Sequence, residues 1–186
     1  MLHSIHSLLD KADVVVHYNG KSFDIPTLNK EFLQFGMRPP APYKQVDLYR
    51  VNKGVFRFLS KKLDYIVDQL GIGRKIRHEG HELWVKCMEG EEKAWRKMER
   101  YNKRDVTLLE DLYEKLRPWI PNHPNVAAYE DINGCPACGS VNIKRSGFAI
   151  TNIMKYQRYA CNDCGKWFRG NKTVSDRRSE KFVEVR

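Results

Sequence analysis

The sequence of 186 residues has no apolar run that approaches the roughly 20 residues a membrane-spanning helix needs. Its first segment does not resemble a signal sequence, because His3, His6, Asp10 and Lys11 interrupt the hydrophobic residues. It also has no internal repeat. We therefore expect a soluble protein without a visible targeting signal. At roughly 150 residues per domain, the length allows one modest domain and a small appendage.

Cysteine is scarce, and its spacing is not typical of a disulfide framework. Four of the five cysteines form two Cys-x-x-Cys pairs, Cys135 with Cys138 and Cys161 with Cys164, and Cys87 stands alone. Such pairs favour a metal site in a reducing compartment over the disulfides of a secreted protein. The cysteine pattern thus predicts an intracellular, cytoplasmic protein.

Acidic residues are fewer than basic ones, with 23 Asp and Glu against 33 Lys and Arg, and the net charge is +10. From Cys135 onward the chain has 11 basic and 4 acidic residues, which accounts for +7 of that charge. A basic surface favours a polyanionic partner, although charge alone also serves solubility. Nucleic acid is the leading candidate partner.

Strand and helix patterns alternate over the first two thirds of the chain, which indicates an α/β domain. A β-branched run ends at the turn-forming pair Asn19-Gly20, and apolar residues then recur every three to four positions from Asp24. The predicted elements are a short helix from Leu2, a strand over 12–17, a helix from Asp24 to Gly36, a strand over 45–49, and helices over 63–70 and 91–116.

The two Cys-x-x-Cys-Gly sequences at Cys135 and Cys161 are near-identical knuckles, in which glycine lets the backbone turn around the thiolates. Alternating segments over 142–150 and 156–160 predict a hairpin that brings the knuckles together. The motif resembles a zinc ribbon over residues 133–170. Four thiolates close the coordination shell, so one Zn²⁺ bound by Cys135, Cys138, Cys161 and Cys164 is expected to be structural. The alternative is disulfides or idle thiols, and a disulfide across only two residues is strained.

Aromatic and basic residues are interleaved in the same module, as in surfaces that stack on single-stranded nucleic acid. In so small a module some of the aromatic rings are also needed to fill the interior. The candidate nucleic-acid-binding residues are Lys155, Arg158, Tyr159, Lys166, Trp167 and Arg169.

Two carboxylates in the first domain are candidates for catalysis. Asp24 follows a buried strand and a turn, at the sheet edge where α/β folds keep their active sites, although an N-cap role is the common alternative. Tyr101 and Asp105 are four residues apart and share one helix face, which continues into an apolar stripe from Leu108. A carboxylate that faces inward requires a metal, a cation or hydrogen-bond donors as its partner.

Together, Asn19-x-x-x-Phe23-Asp24 and Tyr101-x-x-x-Asp105 resemble the second and third motifs of the DEDDy 3′–5′ exonucleases. These enzymes are the DnaQ-like branch of the RNase H-like superfamily, and the resemblance covers residues 10–120. Connecting segments such as Leu70-Gly-Ile-Gly-Arg-Lys75 are similar to the corresponding segments of predicted exonucleases from phage and bacterial genomes. Some of those exonucleases also have zinc ribbons. A viral protein of this kind is expected in the host cytoplasm.

The resemblance implies two-metal phosphodiester hydrolysis at single-stranded 3′ ends of DNA or RNA. In such enzymes four acids hold two divalent cations, Mg²⁺ or Mn²⁺, and a tyrosine orients the attacking water. Carried over by motif, Asp24 and Asp105 are metal ligands and Tyr101 positions the water.

The first motif of that family, Asp-x-Glu on the opening strand, has no counterpart here, since no aspartate is followed two residues later by glutamate. The resemblance therefore implies an N-terminally truncated domain with half of the acidic ligands. One interpretation is a nuclease that an upstream segment or a partner chain completes. The alternative is a non-catalytic nucleic-acid-binding or assembly subunit.

The expected organisation is an α/β RNase H-like exonuclease domain over 1–120, a linker over 121–132, the zinc ribbon over 133–170 and a basic tail over 171–186. We expect several other residues to have a structural role and no catalytic one. Asp47 is predicted to cap a turn, His78 and His81 to lie in a solvated loop, and Gly71 and Gly73 to form a helix C-cap. We expect Trp84, Cys87 and Trp95 to lie in the core.

Overall fold

A computed structural model describes residues 1–76 and 79–174, so His78 and the end of the predicted tail lie outside the described residues. The chain divides into two units, Met1–Leu116 and a second that begins at Arg117. None of the helices in the described ranges combines the length and the apolar character that crossing a membrane requires.

The first unit contains a parallel pair of strands, β1 (Val14–His17) and β2 (Lys44–Asp47). Val14 pairs with Lys44 and His17 with Asp47, so both strands end at the same edge. The chain between them contains α2 (Asp24–Gln34), which completes the predicted β-α-β unit. Asp24 at the start of α2 therefore follows the carboxyl end of β1.

Further helices pack around this pair of strands. The core consists of apolar side chains with no exposed surface, including Leu48, Ile66, Leu108 and Leu112. The other helices of the unit are α1 (Leu2–Asp10), α3 (Leu48–Val55), α4 (Leu63–Gln69), α5 (His81–Met88) and α6 (Glu92–Leu116).

Three local predictions were wrong. His81 was expected in a solvated loop, but it is the first residue of α5. The expected strand over 45–49 ends at Asp47, because the Asp47 side chain caps α3 by accepting the backbone N–H of Tyr49. Trp84 and Trp95 are about half exposed rather than buried, at 52% and 51%. Where α5 meets α6, the core is formed instead by Leu83, Cys87, Ala94 and Met98, so Cys87 is buried as predicted.

The second unit contains an antiparallel sheet in the order β3 (Ile143–Ile150), β4 (Lys155–Cys161) and β5 (Trp167–Thr173). Strands β3 and β4 form the predicted hairpin. Strand β5 was not predicted, and it includes residues 171–173 of the expected tail. A 3-10 turn at Arg117–Trp119 and helix α7 (Val126–Tyr129) precede the sheet, and α7 lies in the segment expected to be a linker.

Candidate active site and metal centre

The first unit contains a cavity of about 1820 Å³ that both motifs of the sequence analysis line. We call it the carboxylate cavity. It brings together residues that come from the start of α2, from α4, from the segment after α4 and from α6. Its lining residues include four acids, four basic residues and one candidate catalytic tyrosine: Asp24, Asp64, Asp68, Asp105, Lys61, Lys62, Arg74, Lys75 and Tyr101.

A tight turn after β1 places Asp24 at the cavity. Asn19 adopts a left-handed conformation with φ of 64°, and its backbone N–H donates to Asp47 Oδ1 at 2.8 Å. The next N–H, of Gly20, donates to His17 Nδ1 at 3.1 Å, and a Cβ at Gly20 would lie 2.9 Å from His17 Cγ. The N-cap of α2 is Phe23, so the exposed Asp24 carboxylate does not serve as an N-cap.

Asp47 supports this turn from the end of β2. Its Oδ1 accepts the backbone N–H of Asn19 and that of Tyr49, at 2.8 and 3.1 Å. Its side chain is 5% exposed and does not line the carboxylate cavity. The capping role predicted for Asp47 is therefore confirmed, and the residue also anchors the turn that leads to Asp24.

Tyr101 and Asp105 lie on α6, and both contact Lys75. Lys75 Nζ donates to Asp105 Oδ2 at 2.6 Å and to Tyr101 Oη at 3.4 Å, and lies 5.4 Å from the centre of the Tyr101 ring. Burial alone lowers the pKa of Lys75, but the hydrogen bond and the charge of Asp105 outweigh burial and raise it. The cation that an inward-facing Asp105 requires is supplied by the protein itself.

The two carboxylate oxygens of Asp105 differ in their hydrogen bonds, because only Oδ2 accepts one from Lys75. Asp105 Oδ1 is buried, and no described residue forms a hydrogen bond with it. A buried carboxylate oxygen without a partner is costly, and carboxylate oxygens are ligands that hard divalent cations prefer. Asp24 lines the same cavity, and the carboxylate chemistry of these two residues fits Mg²⁺ or Mn²⁺.

Sequence reasoning missed the role of Lys75 and the acids of α4. Lys75 was named only at the end of a segment similar to predicted exonucleases, although the inward position of Asp105 already called for a cation. Asp64 and Asp68 are four residues apart, a spacing that places both on one face of α4. Asp68 Oδ1 accepts a hydrogen bond from Arg74 Nε at 2.7 Å. The neighbouring residues Arg74 and Lys75 therefore each form an ion pair with an acid of the cavity, Asp68 and Asp105 respectively.

The cysteines of the second unit converge as predicted. Their four sulfur atoms lie within 4.8 Å of one another, and no other group of three or more metal-ligating side chains is this close among the described residues. The Sγ atoms of Cys135 and Cys164 are 3.7 Å apart, as are those of Cys138 and Cys161. A tetrahedron of Zn–S bonds of about 2.3 Å has edges of about 3.8 Å, which these distances match.

Backbone geometry prepares the cysteines for a metal. Gly139 and Gly165 have φ of 76° and 78°, and their N–H groups donate back to the carbonyls of Cys135 and Cys161. Burial alone raises the pKa of the Cys161 thiol. Hydrogen bonds from backbone N–H groups, of which that of Cys164 has the largest effect, outweigh burial and lower the pKa to about 7. Burial raises the pKa of Cys164 to about 12 in the absence of metal.

The candidate nucleic-acid-binding residues are only partly on one surface. Lys155, Arg158, Trp167 and Arg169 are exposed, whereas Tyr159 is half-buried and stacks on Phe168, with ring centroids 5.7 Å apart. Lys166 Nζ donates to the carbonyl of Ile120 at 2.8 Å. Its ammonium group is thus already bound to the protein.

A family model described as RNase_H superfamily, RNase_H_2, matches residues 1–117. The chain belongs to the RNase H superfamily. RNase H-like domains act on nucleic acids and typically use divalent metals, and this fold places the carboxylate cavity in a domain of nuclease type. Comparison with curated proteins gives no match.

Proposed function

We propose that the first unit is a metal-dependent nuclease domain of the DEDDy 3′–5′ exonuclease type, which acts on single-stranded 3′ ends. The observation that carries the proposal is the convergence of Asp24, Tyr101 and Asp105 on the carboxylate cavity. Asp24 and Asp105 come from different helices, and an α/β fold that served only stability has no reason to collect acids from both around one opening. Superfamily membership supports the same conclusion.

In this proposal each residue has a distinct role. Asp24 and Asp105 hold a divalent cation, which when bound activates water and stabilises the negative charge that develops on the phosphate. Tyr101 lies one helical turn before Asp105, and its phenol hydroxyl orients the attacking water. The turn fixed by Asp47 keeps Asp24 at the sheet edge, so the two carboxylates are held by rigid elements.

A complete two-metal site requires further acids. Two dications held close together repel each other, and the negative charges of Asp24 and Asp105 offset only half of their total charge. We propose that an Asp-x-Glu strand from an upstream segment or a partner chain supplies the remaining ligands. Full activity then requires that strand, and the chain alone is a weak nuclease.

The test is degradation of end-labelled single-stranded DNA and RNA with Mg²⁺ or Mn²⁺. Asp24→Asn and Asp105→Asn should each lower the rate by at least about 100-fold, as loss of one electrostatic contact to a transition state does. Asp111→Asn is the matched control, because Asp111 is an exposed acid of the same helix that does not line the cavity. Hydrolysis that survives both cavity substitutions would show that the active site lies elsewhere.

A second proposal concerns the cysteine module, which we infer to be a zinc ribbon that binds the nucleic-acid strand. Arg158 and Arg169 pair directly across β4 and β5, and like charges in that position are unfavourable. Each guanidinium donates to a backbone carbonyl, that of Ser146 at 2.8 Å and that of Gly170 at 3.2 Å, but neither acceptor neutralises its charge. Each guanidinium also lies over a ring, Arg158 5.0 Å from Trp167 and Arg169 3.9 Å from Tyr156. Two fixed cations between aromatic rings suit the alternating phosphates and bases of a single strand.

The rival function is a non-catalytic nucleic-acid-binding or assembly subunit. It shares the arginine and aromatic surface with the nuclease proposal but does not need the carboxylate cavity. Tight binding of single-stranded DNA together with no hydrolysis, both alone and with an added Asp-x-Glu strand, would favour this rival.

A further inference from the structure

We propose that Lys75 is a positioning residue of the carboxylate cavity that supplies one of the positive charges of the site and competes with a divalent cation for Asp105. The inference deepens the proposed function and rests on it. The observation behind it is that Lys75 Nζ contacts both Tyr101 Oη and Asp105 Oδ2, whereas Asp105 Oδ1 has no hydrogen-bond partner among the described residues.

The ion pair is sheltered from water. The side chains of Lys75 and Asp105 are 25% and 23% exposed, whereas those of Arg96 and Glu92, a surface pair of the same unit, are 70% and 79% exposed. Screening by solvent and salt weakens exposed pairs most, so the Lys75 charge acts on Asp105 more strongly than a surface lysine does. The unpaired Oδ1 leaves one oxygen of the same carboxylate for a divalent cation.

The contacts of Lys75 with Tyr101 and Asp105 are not needed to hold the segment after α4 in place. The segment after α4 is already attached by other contacts: Arg74 pairs with Asp68 at 2.7 Å, and Lys115 Nζ donates to the carbonyl of Leu70 at 2.7 Å. Gly73, with φ of 153°, also packs closely against Leu108, whose Cδ2 would lie 3.2 Å from a Cβ at that position. Because these contacts do not involve the ammonium group, Lys75 is available to act on Tyr101 and Asp105.

The charge of Lys75 contributes to the positive potential that a bound phosphate would meet in the carboxylate cavity. With an ammonium group beside Asp105, the positive charge facing a phosphate does not depend on two dications alone. The same group orients the Tyr101 hydroxyl and holds the Asp105 carboxylate before a metal arrives. The cost is a lower affinity for the divalent cation, because the two cations share one carboxylate.

The experiment measures Mn²⁺ binding to the zinc-loaded full chain by calorimetry and by electron paramagnetic resonance. Lys75→Met should raise the Mn²⁺ affinity at least about tenfold, because a nearby positive charge is removed. Lys75→Arg should keep the affinity of the unchanged protein. Lys62→Met is the matched control, since Lys62 also lines the cavity but forms no ion pair with an acid among the described residues. It should change the affinity by less than about threefold.

Each outcome decides between the proposals. Mn²⁺ affinity of Lys75→Met that equals or falls below that of the unchanged protein would overturn the role of Lys75, provided Asp105→Asn still reduces binding. Mn²⁺ binding that Asp105→Asn leaves intact would instead overturn the proposed metal site. Thermal unfolding of Lys75→Met supplies the folding control, and a loss of stability without tighter Mn²⁺ binding would make the ion pair a structural contact only.

Discussion

The two units build their sites in opposite ways. In the second unit four ligands come from two short knuckles, and local backbone turns bring the sulfur atoms within 4.8 Å of one another. In the first unit Asp24 and Asp105 come from α2 and α6, and Asp105 is paired with Lys75 at 2.6 Å. The cysteines are arranged for a metal before it binds, whereas the carboxylate site balances its charge with an internal cation.

The difference extends to what stabilises each unit. The first unit has fully buried aliphatic side chains such as Leu48, Ile66 and Leu112. In the second unit the buried cluster is Cys135, Ala137 and Cys161, with Phe168 packed against it. A core this small cannot offset the conformational entropy of folding, so we expect the metal to supply most of the stability of the second unit.

The largest predicted effect is that of removing one cysteine, which tests whether a metal stabilises the second unit but not the first. Cys161→Ser should lose stoichiometric zinc and unfold the second unit, because a structural zinc site contributes about 10–16 kcal/mol. Metal analysis and hydrogen exchange resolved by unit are the measurements. The first unit should keep its protection.

The matched control is Cys87→Ser, which removes a buried cysteine from the first unit and should keep the zinc. Treatment of the unchanged protein with a strong chelator should reproduce the Cys161→Ser result. A second unit that stays folded without zinc would refute the contrast between the two cores.

The cluster of four cysteines was predictable from sequence because its geometry is local. Two residues between cysteines, followed by Gly139 or Gly165, fix the chelating turn regardless of the rest of the chain. The pairing of the knuckles needed only the hairpin of β3 and β4. Strand β5 was missed because its apolar residues, Trp167 and Phe168, are followed by polar ones, so the pattern carries little signal.

The carboxylate cavity was predictable only in part, because it depends on contacts between distant elements. The sequence placed Asp24 and Asp105 on the correct helices, and the spacing of Tyr101 and Asp105 gave their common face. The pairing of Lys75 with Asp105 depends on how the segment after α4 packs against α6, which no periodicity encodes. The first two residues of α3 were assigned to the strand over 45–49, because Asp47 is both the last residue of β2 and the cap of α3.

The next effect concerns the surface of the second unit. The double substitution Arg158→Gln with Arg169→Gln should lower the affinity for single-stranded DNA at least about tenfold at low salt. It should also make the slope of log affinity against log salt shallower by about 1.4, since each phosphate contact of a single strand contributes about 0.7. Fluorescence anisotropy over a salt series measures both.

Arg145→Gln is the control for net charge. Arg145 is exposed and pairs with Tyr159, the neighbour of Arg158 along β4, so its side chain lies on the other face of the sheet. If Arg145→Gln weakens binding as much per charge as the double substitution, the interaction depends on overall charge and not on the arginine and aromatic surface.

A smaller effect tests the support of the carboxylate cavity. Asp47→Ala should lower the free energy of unfolding by about 1–3 kcal/mol, because the N–H groups of Asn19 and Tyr49 lose an acceptor that is partly sheltered from water. Asp10→Ala is the matched control, since Asp10 accepts the N–H of Ala41 at the surface, where water replaces it. Urea unfolding of both variants gives the comparison, and equal losses would mean that burial of the Asp47 contacts contributes nothing.

The smallest effect separates backbone conformation from packing in the first unit. Gly54 in α3 and Gly36 after α2 both have open space around the position of a Cβ, but only Gly36 has a positive φ, of 67°. Gly54→Ala should raise the free energy of unfolding by about 0.5–1 kcal/mol, because alanine restricts the unfolded chain and favours the helix. Gly36→Ala should lower it by about 1 kcal/mol, because an L side chain is strained in the left-handed region. Thermal unfolding that shifts both variants in the same direction would show that backbone conformation does not set these two stabilities.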